Sequence, residues 1–469
     1  MKKSKICMTN IVTKNVILVG LGPYAIDTYL KFHQNNEFKI CGIIDLKSKE
    51  KEIKYLINDD IKLLLVDDNE KDNEVLSASL VSQLEAFIKK CGVSHAIIAT
   101  EPKAHYAYAK YFIENDINVL IEKPVIVTKN ILHSDSSRKD YLNKCQELLN
   151  AYKKHCNNIN VTIMSQRRYN NAYIFLKKYI KDIIEKYNIG ITSMHISSSD
   201  GTWNMPNEFF TRENHPYKYG YGKLMHSGYH YVDLAMNLLQ ENKNLINKKI
   251  SSLSIKSSCI TVSDYFKMID NDNYKKMFNE DYDSFKKNVN EFGELDFHSI
   301  LDFKDNNGHT LTTISLDLIQ NSISRRSWTF LPQDTYRNNG RIKQNFIDIC
   351  MGPLINIKII VEQAFLNNET NDSYNLGGKN NFEIIISRNQ KLLGGKVLEK
   401  YGIQDFETSN NYYEFNDYCR LKCIKDFLNN PKSKSDLSLH QNTMKLLAYL
   451  YESISNNIEV PFQLMEDNV

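Results

Sequence analysis

"NVILVGLGPYA", residues 15–25, is an apolar, β-branched run that stops at a glycine and opens into a helix-compatible segment. Its spacing, Gly20-x-Gly22-x-x-Ala25, gives each small residue a task. Glycine at the first position permits a tight turn, and at the second it lets the backbone approach a pyrophosphate. Ala25 lets the helix pack closely on the strand, with phosphates at the helix N-terminus. Asp45 ends the second predicted strand, FKICGIID (38–45). An acidic side chain there accepts hydrogen bonds from adenosine ribose hydroxyls and disfavours a 2′-phosphate. Lys47 and Lys49 weaken that exclusion, so NAD(H) is favoured modestly over NADP(H). Taken alone, the loop also reads as a structural glycine turn.

Working outward, IKLLLV (61–66), SHAIIAT (94–100) and INVLIEK (117–123) read as further strands. Helical patterns at 74–92, 105–115 and about 137–156 separate or follow them, leading to NINVTIMSQ. Strands alternating with helices predict a parallel, doubly wound sheet over residues 1–160. In such a sheet, ligands bind beyond the carboxyl ends of the strands. Thr100, Pro102 and His105 in ATEPKAH (99–105) and Glu122 and Lys123 in IEKP (121–124) occupy those ends. They join Gly20, Gly22, Ala25 and Asp45 as expected cofactor-binding residues. Helix packing is the alternative for His105, and a plain surface lysine the alternative for Lys123.

Residues 161–469 follow another pattern. After a helix at 171–188 come strand-like runs at 189–199, 250–262, 309–319, 356–362 and 381–387, which suit an α+β domain with a mainly antiparallel sheet. Segment 264–295 reads as a helical excursion, 366–382 as a surface loop, and 442–457 as a closing helix that could pack back on the first domain.

Composition narrows the function class. Basic and acidic residues number 59 and 56, a balance without the basic stripe of a nucleic-acid or membrane-surface binder. No apolar run reaches the length of a membrane span. Nine cysteines without framework spacing point to a reducing cytoplasm. Cys419 and Cys423 lack a second pair for zinc, and no Gly-x-Ser-x-Gly motif supports a nucleophilic hydrolase.

GKLMHSGYHYVDLAMNLL (222–239) places His226 and His230 four residues apart at a helix entry, with Asp233 after them. If the helix has begun by His226, both imidazoles share a face. A catalytic pair, a metal site and a polar helix entry are all compatible with this pattern.

Together, GLGPYA with Asp45, ATEPKAHYAYA, NVLIEKPV and GKLMHSGYHYVD resemble the glucose–fructose oxidoreductase / inositol dehydrogenase / rhizopine-catabolism (Gfo/Idh/MocA) family. Residues 423–462 resemble the closing segment of that family, whereas 240–410 match it poorly. The resemblance implies a Rossmann domain followed by an α+β domain with a large, open, mainly antiparallel sheet. It also implies an NAD(P)-dependent oxidoreductase acting on a sugar, polyol or sugar derivative. On this resemblance Lys123 contacts the reacting oxygen and His230 is the general acid/base. His226 stands where many members have aspartate. Pairing through the open sheet, as a homodimer or tetramer, is also implied. An NAD-dependent glycoside hydrolase and a non-catalytic nucleotide-binding regulator remain the competing classes.

Substrate contacts are expected from Arg168 in SQRRYN (165–170) and from Tyr221 and Tyr229 around the histidines. Arg326 and Trp328 in segment 322–341 complete the set, with a subunit interface as that segment's alternative. The stretch 200–223, with Trp203, Arg212 and Tyr221, reads as a substrate loop or a connector.

Overall fold

A computed structural model of the protein describes residues 14–213, 215–281, 289–326, 340–364, 381–406 and 415–466. The chain divides into two units. The first takes the chain through Val125, then Glu147–Met164 and Arg420–Leu437. The second takes Ile126–Gln146, Ser165–Cys419 and Ser438–Val469.

The first unit is a six-stranded parallel sheet. Its strands are β1 (Val16–Val19), β2 (Ile40–Leu46), β3 (Lys62–Val66), β4 (His95–Ile98), β5 (Asn118–Ile121) and β6 (Val161–Ile163). Their order is β3-β2-β1-β4-β5-β6, with every pair parallel. The strand order reverses between β1 and β4, the switch point at which such sheets bind nucleotides. All of Val16–Val19 is buried, as expected of a central strand covered on both faces. The helix Ala78–Cys91 turns Leu80, Leu84 and Phe87 inward, and the Ser77 hydroxyl caps it by accepting the Leu80 N–H at 3.2 Å. At the far edge, Ile163 donates its N–H to the Ser435 carbonyl at 2.8 Å, and the Asn160 amide donates to the Asn430 carbonyl at 2.9 Å. Arg420–Leu437 thereby covers the edge strand β6. The closing helix Gln441–Ser455 belongs to the second unit.

The second unit holds a nine-stranded sheet. Its strands are β7 (Ser193–Ser199), β8 (Ser252–Thr261), β9 (Glu294–Lys304), β10 (Thr310–Ile319), β11 (Ile342–Met351), β12 (Ile355–Ala364), β13 (Asn381–Arg388), β14 (Leu398–Gly402) and β15 (Ile458–Pro461). The order is β14-β13-β12-β11-β7-β10-β9-β8-β15, with β7 and β10 the parallel pair and the rest antiparallel. Alternation decides its faces. Met194, Ile196, Ile314, Leu316, Ile347 and Ile349 are buried, while their neighbours His195, Ser315 and Asp348 are partly exposed. Each such side chain, removed from water, contributes about 2 kcal/mol before chain entropy opposes it. The closing helix packs on β8 and on the helix Tyr229–Leu239.

Strands β9, β11, β14 and β15 extend the predicted set. The excursion at 264–295 holds the helices Val262–Met268 and Asn271–Phe278 and has become β9 by Glu294. Of the expected loop 366–382, the last two residues begin β13, and 366–380 lie outside the described residues.

Candidate functional site

In the first unit the glycine turn is sterically obligatory. Gly20 has φ +90°, and a Cβ there would stand 2.8 Å from the Thr100 Cα and N. Gly22 is different: its φ is −77°, and a Cβ added to it would meet nothing within 4 Å. Pro23 follows at the first helical position, where its missing N–H is harmless. An open space before a helix start, bounded by a turn that only glycine can make, fits a dinucleotide's pyrophosphate. Ala25 is buried.

Asp45 is buried at the end of β2, where one carboxylate oxygen accepts the Leu21 N–H at 2.6 Å and the other the Leu46 N–H at 2.7 Å. It thus ties β2 to the glycine loop. Lys49 lies 3.8 Å from it, whereas Lys47 pairs with Asp67 at 2.7 Å. Pro102 starts the helix Pro102–Glu114, and His105 within it is buried. Its ring nitrogens lie 2.8 Å from the Pro124 carbonyl and 3.0 Å from that of Thr100. Burial pushes the imidazole's pKa down, so the cation that would donate to both is disfavoured. His105 therefore joins two strand ends and serves packing. Glu122 is buried too. The Tyr29 hydroxyl donates to it at 2.5 Å, and burial raises its pKa. Lys123, next along, is partly exposed, and its peptide with Pro124 is cis.

In the second unit the histidine segment begins with a close backbone approach. A Cβ on Gly222 would fall 1.9 Å from the Glu294 carbonyl oxygen. The Glu294 carboxylate accepts the Leu224 N–H and the Tyr451 hydroxyl, each at 2.8 Å. A strand residue thus caps the helix start. Burial raises its pKa to about 7. Leu224–Gly228 is a π-helical turn, and the α-helix proper starts at Tyr229. His226 therefore lies outside the regular helix that would have set both imidazoles on one face. Its ring packs edge-on against His215, Tyr217 and Tyr221, at centroid distances of 4.9, 5.4 and 5.6 Å. His230 is buried, with Gln166 Nε2 3.5 Å from its Nε2.

Three of the expected substrate contacts are engaged by the protein itself. Arg168 forms a buried pair with Asp233, through Nε at 3.0 Å and Nη2 at 2.7 Å, and also donates to the Leu439 carbonyl. Asp233 further accepts from Ser165 at 2.5 Å and Thr443 at 3.1 Å, and the Arg168 guanidinium helps hold its carboxyl well below the usual range against burial. Tyr229 is fully buried, its hydroxyl 3.0 Å from His440 Nδ1. Arg326 forks onto Glu208 at 2.8 and 2.9 Å and donates to the Trp203 carbonyl. Tyr221 is buried beside His226. Trp328 lies outside the described residues.

Two features escaped the sequence reading. Lys223 is fully buried and donates to Asp200 at 2.6 Å, where Arg341 also binds at 3.1 Å. Arg167, adjacent to Arg168, is partly exposed, with its guanidinium carbon 3.9 Å from the centre of the Tyr231 ring. The doubled arginine in SQRRYN was visible, but nothing local distinguishes its two members.

Residues 14–162 match the family model described as "Oxidoreductase family, NAD-binding Rossmann fold" (GFO_IDH_MocA). No curated protein matches the chain. Several solved structures share its fold over nearly the whole chain. An oxidoreductase from Agrobacterium radiobacter, in complex with NAD+, L-tartaric acid and magnesium, aligns with a TM-score of 0.57 at 13% identity, covering 96% of this chain and 98% of that one. An aldose-aldose oxidoreductase from Caulobacter crescentus gives 0.53 at 13% identity, covering 96% and 100%. UDP-N-acetylglucosamine 3-dehydrogenase from Acidithiobacillus ferrooxidans gives 0.52 at 11%, covering 94% and 97%. The glycine turn, the strand order and the matched model agree: over residues 14–162 this chain carries the NAD-binding Rossmann module of the Gfo/Idh/MocA oxidoreductase family.

Proposed function

We propose that the protein is an NAD(P)-dependent oxidoreductase that interconverts a hydroxyl and a carbonyl on a sugar, polyol or sugar derivative. The observation that carries this reading is the Gly20–Gly22 turn, open before its helix and followed at the strand ends by Asp45 and Lys123. Gly20, Gly22 and Asp45 are the residues that would hold the dinucleotide, which supplies the hydride acceptor or donor when bound. Relatives in fold act on an aldose or a nucleotide sugar, or bind L-tartaric acid, which supports a polyhydroxylated substrate.

Oxidising an alcohol removes a hydride from carbon and a proton from oxygen, and the protein's share is the proton. Lys123 polarises the reacting oxygen with its ammonium group. His230 exchanges the proton, a role imidazole suits near neutral pH. Asp233, pinned by Arg168, Ser165 and Thr443, positions the helix that bears His230. His226 is proposed to shape the pocket through its aromatic contacts.

The test is a turnover screen of sugars, polyols and sugar acids with both nucleotides, following nicotinamide absorbance. Lys123→Ala and His230→Ala are each expected to lower kcat on the order of a hundredfold or more while nucleotide binding persists. Variants that retain wild-type turnover would remove both residues from the chemistry. Sugar release from a glycoside without net change in nicotinamide absorbance would replace the dehydrogenase with a hydrolase.

A further inference from the structure

We infer that the substrate carries an oxyanion, a carboxylate or a phosphate ester, and that Arg167 is the residue that binds it. This rests on the oxidoreductase reading and names its substrate class. Three observations converge on Arg167.

First, the side chain is partly exposed and forms no ion pair among the described residues, whereas Arg168 and Arg326 are each clamped to a buried carboxylate. Asp200, the acid nearest in electrostatic terms, is held by Lys223 at 2.6 Å, Arg341 at 3.1 Å and the Ser227 hydroxyl at 2.7 Å, with Lys343 4.0 Å away. These cations hold its carboxyl well below the usual range despite burial, and its charge acts on Arg167 only at a distance, without an ion pair between them.

Second, the guanidinium is oriented by a fixed platform. Its carbon stands 3.9 Å over the ring of Tyr231, which is fully buried and donates its hydroxyl to Asn345. The ring thereby fixes where the guanidinium stands, and the planar fork of an arginine can grip a carboxylate or phosphate with two parallel bonds.

Third, Arg167 is joined to His230 on both sides. Its neighbour Gln166 reaches His230 Nε2 at 3.5 Å, and its platform Tyr231 directly follows His230 in the helix. An oxyanion held at Arg167 therefore lies one side chain from the imidazole proposed to exchange the proton.

The test uses isothermal titration of the full chain, saturated with NAD+, with glucose, glucuronate and glucose 6-phosphate as probes. At least one anionic probe is expected to bind on the order of tenfold to a hundredfold tighter than glucose, and which one does so identifies the anion. Arg167→Gln should abolish that difference by weakening the anion far more than glucose, while Arg167→Lys, which keeps the charge, should restore part of it. Equal binding of charged and neutral probes, no binding of either anion, or equal weakening of all three in Arg167→Gln would each overturn the inference. Turnover with no anion preference would overturn it and leave the oxidoreductase intact. Anion binding through Arg167 without turnover of any probe would count against the oxidoreductase and leave the anion site standing.

Discussion

The first unit's candidate site is built from main chain, and the second surrounds its candidate groups with buried charge. At Gly20 and Gly22 what matters is that no Cβ intervenes, at Gly20 because Thr100 leaves no room for one and at Gly22 because the space beside it is open. Around His230 what matters is which carboxylate holds which cation, since Asp233, Asp200 and Glu294 are all fully buried. Backbone recognition depends on local conformation. A buried charge network depends on partners far apart in sequence, and removing one member leaves the other without compensation.

The sharpest way to break this contrast is to compare neighbouring arginines. Arg168→Ala would leave Asp233 buried without its main partner, at a cost of about 4 kcal/mol. Arg167→Ala, on a partly exposed side chain, should cost less than about 1 kcal/mol. Urea unfolding of both variants checks this. Similar losses would mean that Arg167 is as structural as Arg168.

Titration separates the two units with opposite signs. Glu294 in the second unit has its folded pKa raised to about 7 from 4.5. Its ionisation therefore destabilises the fold progressively above pH 4.5, reaching a full cost of about 3 kcal/mol above pH 7. Glu294→Gln should stabilise the protein at pH 8 and have little effect at pH 5. His95 in the first unit is buried on β4, and burial lowers its pKa to about 4 from 6.5. The unfolded chain takes up that proton first, so stability falls between pH 6.5 and pH 4, by up to roughly 3 kcal/mol. His95→Gln should flatten that acid limb. Unfolding curves at pH 5, 6.5 and 8 check both, and a shared sign would refute the assignment of one of them.

The smallest effect concerns nucleotide choice. Lys49 sits 3.8 Å from Asp45, so Lys49→Ala should tilt the NADH:NADPH affinity ratio toward NADH by less than about tenfold. A tilt toward NADPH would mean that Asp45 does not face the ribose.

The contrast also explains which parts could be read from sequence. Residues 15–25, the strand ends at Thr100 and Lys123 and the acid at 45 follow one another along β-α-β units, so local spacing locates them. The same holds for the α+β character of the second unit, since its buried positions alternate. β9 carries that alternation in Leu295, Phe297, Leu301 and Phe303, but it begins inside a polar stretch that masks its start. The roles of Arg168, Tyr229 and Arg326 are set by Asp233, His440 and Glu208, which lie 65, 211 and 118 residues away. The π-helical turn that removes His226 from the regular helix follows from no residue type within it.

The measurement that tests the central claim most directly is a fluorescence titration of the full chain with NADH and with NADPH, in the wild type and in Gly22→Val. Gly22 has an ordinary backbone conformation, and a Cβ there meets nothing within 4 Å, so valine should fold there and fill only the place proposed for the phosphates. The account predicts saturable binding of at least one nucleotide and its loss in Gly22→Val, with an unchanged unfolding curve. No binding of either nucleotide to the wild type, or undiminished binding to Gly22→Val, would contradict it.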